Sequence, residues 1–239
     1  MANSYFQFKQ FMIRQDKCAM KVGTDGVLLG AWVDLPSGIS RILDVGTGSG
    51  LIALMLAQRT AETFITAIDV DRDAYLQAVE NVSASVFKER IQVSHLSLNA
   101  YVETVADTFE LIVSNPPYFN HALLSPDIKR TIARHSVELS LDSLIADSRK
   151  LLAPNGRIAL ILPADQQEAL EQTIKRYGFF MTRLTAVIPT VGAVPKRILV
   201  EITTEQGLSF VQNRLTIESS RHQYTDDYIA LTKAFYLKM

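Results

Sequence analysis

A glycine-rich segment between a buried strand and an apolar helix constrains the fold more than any other feature. The strand pattern covers residues 41–45, glycines follow at every second position, and an almost wholly apolar helix is predicted over residues 51–58. Glycine lets the backbone turn sharply and approach a ligand without a Cβ in the way. A strand, a glycine turn and a helix in this order predict a parallel α/β unit with a ligand at the turn.

The same alternation continues along the chain. Further strands are predicted at residues 64–68, 91–96, 109–113, 157–162, 181–188 and 197–203, with helical patterns at 71–83, 141–152 and 165–177 between them. The last two strands are separated only by residues 189–196, too few for a parallel crossover, so they should form an antiparallel hairpin. We expect a doubly wound, mostly parallel, seven-stranded α/β sheet with a C-terminal antiparallel hairpin. This arrangement resembles the Rossmann-like fold of class I S-adenosylmethionine-dependent methyltransferases.

Length and composition favour a single domain over residues 1–239. Hydrophobic residues make up 48% of the chain, enough to fill one core. We expect the core sheet at 41–205, an N-terminal extension at 1–40 that closes the cofactor site, and a C-terminal extension at 206–239. The formal charge of -1 means that a nucleic acid would need a local basic surface. With no signal-peptide pattern, membrane-length apolar run or metal-ligand spacing, we expect a cytoplasmic protein without metal.

The glycine segment carries the first cofactor candidates, which are Asp44, Gly46, Gly48 and Gly50. Its G-x-G-x-G spacing differs from the dinucleotide pattern G-x-G-x-x-G. A carboxylate at Asp44 would repel a pyrophosphate, but it suits the positively charged methionine end of S-adenosyl-L-methionine. The segment therefore favours this methyl donor, with a dinucleotide as the alternative.

Two later strand ends add cofactor candidates. Asp69 ends the second strand about 20 residues after the glycines, where a carboxylate can accept hydrogen bonds from both ribose hydroxyls. Val70 offers an apolar face for the adenine ring; a capping role for Asp69 is the alternative. Methyltransferases of this class often place an acid after the third strand to bind the adenine amine, but this chain has Ser97 there, with Asn99 nearby.

The tetrapeptide Asn115-Pro116-Pro117-Tyr118 follows the fourth strand, at the edge of the sheet where ligands bind, so Asn115 is both a catalytic and a cofactor-binding candidate. An exocyclic amine conjugated to a ring is a poor nucleophile because its lone pair is delocalised. If the Asn115 oxygen and the Pro116 carbonyl each accept one N–H, the lone pair is directed at the methyl group. Tyr118 can stack on a planar base. A simple strand-ending turn is the alternative.

These motifs together resemble the class I amino-methyltransferases with the Asn-Pro-Pro-Tyr signature. Residues 6–11 and 21–32 near the N-terminus and 224–238 near the C-terminus are similar to a bacterial group that methylates N6 of adenine 37 in a valine tRNA. The resemblance thus covers the chain from about residue 6 to its end. It implies a tRNA substrate, and it implies that Phe11, Gly23 and Thr24 help enclose the methionine end of the cofactor.

The tetrapeptide alone does not choose the amine. The same superfamily includes guanine N2 and protein-glutamine N5 enzymes, and a non-catalytic cofactor-binding or RNA-binding module is a third possibility. Only about 40 residues precede the glycine-loop strand, which leaves no room for the helical domain of the protein-glutamine enzymes. The duplicated domain of larger guanine-N2 enzymes is absent too. These observations agree with the target that the resemblance of the two chain ends implies, which is adenine N6 of tRNA.

Basic residues near the tetrapeptide are candidates for holding RNA. Residues 119–136 contain several cations and a single acid, and the final hairpin adds two more cations. Basic side chains beside a base pocket can hold phosphates, and an aromatic side chain can stack on a splayed base. The RNA candidates are Phe119, Lys129, Arg130, Arg134, Lys196 and Arg197.

Overall fold

The computed structural model describes residues 3–18, 20–117 and 139–238. Strands and helices alternate through most of these residues. The strands are β1 (Tyr5–Gln7), β2 (Met12–Arg14), β3 (Arg41–Val45), β4 (Phe64–Asp69), β5 (Ile91–His95), β6 (Phe109–Ser114), β7 (Leu152–Pro163), β8 (Phe180–Thr190), β9 (Arg197–Thr203), β10 (Val211–Ser220) and β11 (Gln223–Tyr224). The helices are α1 (Thr24–Trp32), α2 (Leu51–Arg59), α3 (Arg72–Ser83), α4 (Leu98–Thr104), α5 (Leu141–Leu151), α6 (Gln167–Arg176) and α7 (Asp226–Thr232). Among the described residues, no helix is both long and apolar enough to cross a membrane.

The central sheet has the order β11-β10-β8-β9-β7-β6-β3-β4-β5. Strands β5, β4, β3, β6 and β7 are parallel, and β9 runs antiparallel to both of its neighbours, β7 and β8. The predicted doubly wound sheet and its antiparallel hairpin are therefore confirmed. The seven predicted strands lie side by side as one continuous part of the sheet.

The sheet is wider than predicted because the C-terminal extension adds β10 and β11. Strand β10 pairs in parallel with β8, and β11 pairs with the end of β10. Most side chains of β10 are exposed or only half-buried, as is common for a strand near the edge of a sheet. Its polar sequence therefore lacks the apolar run by which the other strands are predicted.

Two apolar cores cover the two faces of the sheet. One core includes α1 and α2 together with the N-terminal residues and Phe235 near the C-terminus. The other includes α4, α5 and α6. Helix α2 buries every residue from Leu51 to Ala57, which explains why its sequence has almost no polar face.

The two ends of the chain meet beside α2. Phe8 forms an isolated antiparallel bridge with Tyr236, and the Lys9 N–H donates to the Phe235 carbonyl at 2.8 Å. The Gln58 side chain of α2 donates to the Ala234 carbonyl at 2.9 Å. The N-terminal hairpin β1–β2 and the C-terminal helix α7 therefore support the helix that follows the glycine segment.

Helix α1 packs closely on α2 through Gly30. A Cβ built on Gly30 would lie 2.8 Å from Met55 Sδ and 3.0 Å from Met55 Cβ. Both distances are shorter than normal carbon contacts, so the absence of a side chain at Gly30 is what allows the two helices to approach. This contact fixes α1 against the helix whose first turn forms part of the glycine segment.

We expect Gly30→Ala to lower the free energy of unfolding by about 1–3 kcal/mol, because a crowded core must shift to accept the methyl group. In a Met55→Ala background the same change should cost distinctly less, since the nearest atom, Met55 Sδ, is removed and only Met55 Cβ still crowds the new methyl group, while alanine favours helix. Chemical denaturation of the two single variants and the double variant measures this coupling. Equal costs in both backgrounds would contradict the close α1–α2 contact.

Candidate active site at the carboxyl edge of the sheet

The glycine segment forms an open turn between β3 and α2. Gly46, Gly48 and Gly50 all have left-handed backbone, with φ of 70°, 59° and 82°. A Cβ on Gly46 or Gly48 would meet nothing within 4 Å, whereas one on Gly50 would face Ala78 of α3 at 3.5 Å. The turn is thus packed against the protein at Gly50 and open at Gly46 and Gly48, where a ligand can approach the backbone.

Asp69 lies beside this turn and is 8% exposed. Its Oδ2 accepts a hydrogen bond from the Gly48 N–H at 2.8 Å, and its Oδ1 accepts one from the Asp71 N–H at 2.9 Å. Burial raises the pKa of Asp69, and backbone hydrogen bonds from Asp71, Gly48 and Val70 oppose that rise. Each carboxylate oxygen has a second lone pair with which it can accept a hydroxyl hydrogen.

The alternative role for Asp69, as a cap for the next helix, belongs to a different residue. The N-cap of α3 is Asp71, whose Oδ1 accepts a hydrogen bond from the Ala74 N–H at 2.8 Å. Val70, between the two acids, is 47% exposed and presents an apolar surface at the edge of the sheet.

Asp44 is completely buried below the turn. Its Oδ2 accepts hydrogen bonds from the Thr47 hydroxyl at 2.6 Å and from the Ala53 N–H at 3.1 Å. Among the described residues, its Oδ1 has no hydrogen-bond partner. Burial raises the pKa of Asp44 to about 7, although the two hydrogen bonds oppose the shift. A cationic or hydrogen-donating ligand would stabilise the ionised form.

Ser97 follows β5 and caps α4. Its hydroxyl oxygen accepts a hydrogen bond from the Ala100 N–H at 3.3 Å, and the hydroxyl donates to Asn99 Oδ1 at 3.2 Å. Sequence reasoning missed the neighbouring His95, whose Nε2 lies 3.0 Å from the Val70 carbonyl and whose ring stacks on Tyr75 at a centroid distance of 5.4 Å. An aromatic residue ending β5 was the available signal for this contact.

The first part of the tetrapeptide lies next to the glycine turn. Strand β6 pairs in parallel with β3, and Ser114 is the register partner of Val45. The Ser114 hydroxyl donates to the Val45 carbonyl at 2.8 Å. Asn115 and Gly46 are therefore the first residues after two adjacent strands, and neighbouring strands lie about 4.8 Å apart. Pro116 is buried and Pro117 exposed, whereas Tyr118, Phe119, Lys129, Arg130 and Arg134 lie outside the described residues.

The N-terminal candidates occupy two environments. Phe11 is 4% exposed, and its ring stacks on Phe8 at a centroid distance of 4.8 Å, so its described contacts lie in the core. Gly23 is the N-cap of α1 and Thr24 its first residue, and both are exposed.

The two basic candidates of the final hairpin also differ. Arg197 begins β9, and its Nε donates to Asp25 Oδ2 at 2.7 Å, so this guanidinium already has a protein partner. Lys196 is exposed in the turn that precedes it. Pro163, at the carboxyl end of β7, is the register partner of Arg197. Both basic residues therefore lie at the same edge of the sheet as Asn115.

Comparison with known proteins agrees with this arrangement. The sequence profile described as "Methyltransferase small domain" matches residues 27–182. A Parabacteroides distasonis protein named tRNA1(Val) (adenine(37)-N6)-methyltransferase is 52% identical over 239 residues, which is 100% of both chains. The protein of the same name from Phocaeicola vulgatus is 46% identical, again over 100% of both chains. A solved structure of a predicted O-methyltransferase from Agrobacterium tumefaciens has a TM-score of 0.71 at 19% identity, covering 88% of this chain and 96% of that chain.

The sheet order and the glycine turn define a class I methyltransferase, which confirms the predicted fold. Within that class, the chain belongs to the methyltransferase small domain family and to its members named tRNA1(Val) (adenine(37)-N6)-methyltransferase. The methyl donor of such enzymes is S-adenosyl-L-methionine. The residues at the edge fit this donor, since the turn is open at Gly46 and Gly48 and the buried Asp44 oxygen suits a cationic ligand.

We expect S-adenosylmethionine binding to release protons near neutral pH. With a pKa of about 7, Asp44 is partly protonated in the free protein, and a positively charged methionine end favours its carboxylate. Affinity should therefore rise as the pH increases through about 7, where the free carboxyl loses its proton. Calorimetry in buffers of different ionisation enthalpy should detect release of about half a proton at pH 7.

The matched variant is Asp44→Asn, which keeps one acceptor oxygen for Thr47 and Ala53 but cannot ionise. It should bind more weakly and release distinctly fewer protons than the natural protein at the same pH. Because the cofactor's own ionisation is common to both titrations, the difference reports on Asp44. Identical proton release in the two proteins would contradict the assignment.

Proposed function

We propose that this chain transfers a methyl group from S-adenosyl-L-methionine to the exocyclic N6 amine of adenine 37 in a valine tRNA. The observation that carries the proposal is that the chain is 52% and 46% identical, over its full length, to two relatives named for that activity. The position of Asn115 and Pro116 beside the glycine turn supports it, because both the donor and the amine must reach one place. A tRNA substrate also implies action in the cytoplasm.

Asn115 and Pro116 are proposed to orient the amine. The Asn115 side-chain oxygen and the Pro116 carbonyl would each accept one N–H of the target nitrogen. This takes the nitrogen lone pair out of conjugation with the ring and directs it at the methyl group. S-adenosylmethionine supplies an electrophilic methyl group when it is bound. Two acceptors also stabilise the positive charge that grows on the nitrogen during attack, so no strong base is needed. The extra proton can then leave to water. Tyr118 is proposed to stack on the adenine.

The donor is proposed to lie along the carboxyl ends of β3, β4 and β5. Asp69 would accept hydrogen bonds from the two ribose hydroxyls, and Val70 provides the apolar surface for adenine. The open glycine turn and Asp44 would receive the methionine end. Ser97 already caps α4, so its contribution to the adenine amine would be one further hydrogen bond. Phe11, Gly23 and Thr24 are proposed to close the methionine end.

The RNA is proposed to approach the same edge from the side of β9. Lys196 is exposed there, whereas the Arg197 guanidinium is shared with Asp25. Lys196 is therefore the better candidate for a phosphate contact among the described residues. Phe119, Lys129, Arg130 and Arg134 remain proposed RNA contacts from the sequence.

A direct test of the function is product identification. The protein is incubated with radiolabelled methyl donor and total RNA from cells that lack the modification, and the nucleosides are separated by mass spectrometry. We expect N6-methyladenosine in the tRNA fraction. The proposal would be overturned by methylguanosine or by label in protein glutamine. It would also be overturned if no product were labelled although the protein binds the donor.

We expect Asn115→Ala to reduce kcat by about 100- to 1,000-fold, the usual cost of losing one electrostatic contact to a developing charge. Cofactor affinity should change little, because the lost oxygen faces the amine. Single-turnover kinetics with calorimetric binding separates the two effects. Full activity in this variant would contradict the proposed orientation mechanism.

We expect Lys196→Glu to raise KM for tRNA by about three- to tenfold at low salt, with less effect at high salt, because phosphate contacts depend on ionic strength. Lys88→Glu is the matched control. Lys88 is also exposed, but it precedes β5 at the opposite edge of the sheet. The donor affinity should be the same in both variants. Equal tRNA KM values in both variants would show that the RNA does not contact Lys196.

A further inference from the structure

Helix α3 carries two buried amides one turn apart. Gln77 and Asn81 are 0% and 2% exposed, although most of the charged side chains of this helix face solvent. Polar side chains are rarely buried without hydrogen-bond partners, so such a pair indicates groups that the amides must hold. The mechanism proposed above uses neither residue.

Asn81 binds two separate segments of backbone. Its Oδ1 accepts a hydrogen bond from the Arg14 N–H at 2.8 Å, and its Nδ2 donates to the Arg14 carbonyl at 2.9 Å. The second hydrogen of Nδ2 is donated to the Ser49 carbonyl at 2.8 Å. One amide thus pairs with strand β2 of the N-terminal extension and, at the same time, holds the glycine turn.

Ser49 is the part of the turn that needs such an anchor. It lies between Gly48 and Gly50, two glycines with left-handed backbone and no side chains to restrict them. The Gly48 N–H is bound by Asp69 on one side, and the Ser49 carbonyl is bound by Asn81 on the other. The backbone that faces the open side of the turn is therefore fixed from both directions.

We propose that Asn81 is a positioning residue for the cofactor, because it sets the glycine turn and the N-terminal extension in one common conformation. This inference rests on the proposed cofactor site. Because Asn81 binds both segments, an ordered backbone at Arg14 stabilises the glycine turn, and an ordered turn stabilises the backbone at Arg14. The N-terminal extension therefore contributes to donor affinity through Asn81 without having to touch the donor.

Gln77 provides a comparison within the same helix. Its Oε1 accepts a hydrogen bond from the Lys17 N–H at 2.9 Å, and its Nε2 donates to Glu80 Oε2 at 3.2 Å. Gln77 thus holds the N-terminal extension, as Asn81 does, but within the described part of the chain its hydrogen bonds do not reach the glycine turn. A purely structural role of the buried amides would make the two residues equivalent.

The test uses Asn81→Asp, which keeps the size of the side chain and the oxygen that accepts from the Arg14 N–H. It replaces the NH2 group, which donates to the Arg14 and Ser49 carbonyls, with a carboxylate oxygen. We expect the Kd for S-adenosylmethionine to rise by about 10- to 100-fold, since the Ser49 carbonyl loses its partner. At saturating donor, kcat should fall by less than about threefold, since the chemistry at the amine is untouched. In the donor-free protein, hydrogen exchange of residues 46–52 should become faster.

A comparison of Asn81→Ala with Gln77→Ala separates a specific effect on the glycine turn from a general loss of stability. Both truncate a buried amide on α3, and thermal unfolding reports their stability. We expect Asn81→Ala alone to weaken donor binding and speed exchange of the turn. Equal donor affinity in both variants, or unchanged affinity in Asn81→Asp, would overturn the inference. If the natural protein itself bound no donor, the proposed function would fail instead, so the two failures are distinguishable.

Discussion

The Asp69 carboxylate holds together the part of the molecule on which the site depends. One of its oxygens binds the backbone of the glycine turn at Gly48, and the other binds the backbone that leads into α3 at Asp71. These two hydrogen bonds keep the turn at the end of β4 and orient the carboxylate toward the open edge. A buried acid held by backbone N–H groups is pre-organised, so little conformational entropy is lost when a ligand binds to it.

The parallel sheet then brings distant parts of the chain to that edge. Ser114 and Val45 are register partners, so the proposed catalytic tetrapeptide begins beside the glycine turn although 69 positions separate the two residues. The antiparallel strand β9 begins at the same edge, which adds Lys196 and Arg197. The donor side and the proposed RNA side of the site therefore follow from strand direction alone.

Sequence patterns predicted the fold where burial is complete. Strands β3 and β9 have the predicted bounds, because both are mostly apolar and all but their first residue is buried. Strand β10 was missed because its side chains are mostly exposed, which leaves no apolar pattern. The antiparallel direction of β9 relative to β8 was predictable from the short connection between them.

Side-chain partners across long sequence distances were not predictable. Arg197 stays a proposed RNA contact, but its partner Asp25, 172 positions away, could not be found from local sequence. Likewise, Gln77 and Asn81 look like the polar face of an amphipathic helix, because Ala74, Ala78 and Val82 already account for an apolar face. Only the structure shows that the N-terminal extension binds these amides, through Arg14 and Lys17. Such contacts depend on how the N-terminal extension packs on the core, and local sequence patterns do not encode that packing.

The central claim is that Asp69 and the glycine turn bind the methyl donor. Calorimetric titration of S-adenosylmethionine into the natural protein and into Asp69→Asn tests it most directly. We predict tight binding by the natural protein and a loss of about 100-fold or more in the variant, because two charge-assisted hydrogen bonds to the ribose are lost. Equal affinities in two equally stable proteins would contradict the account.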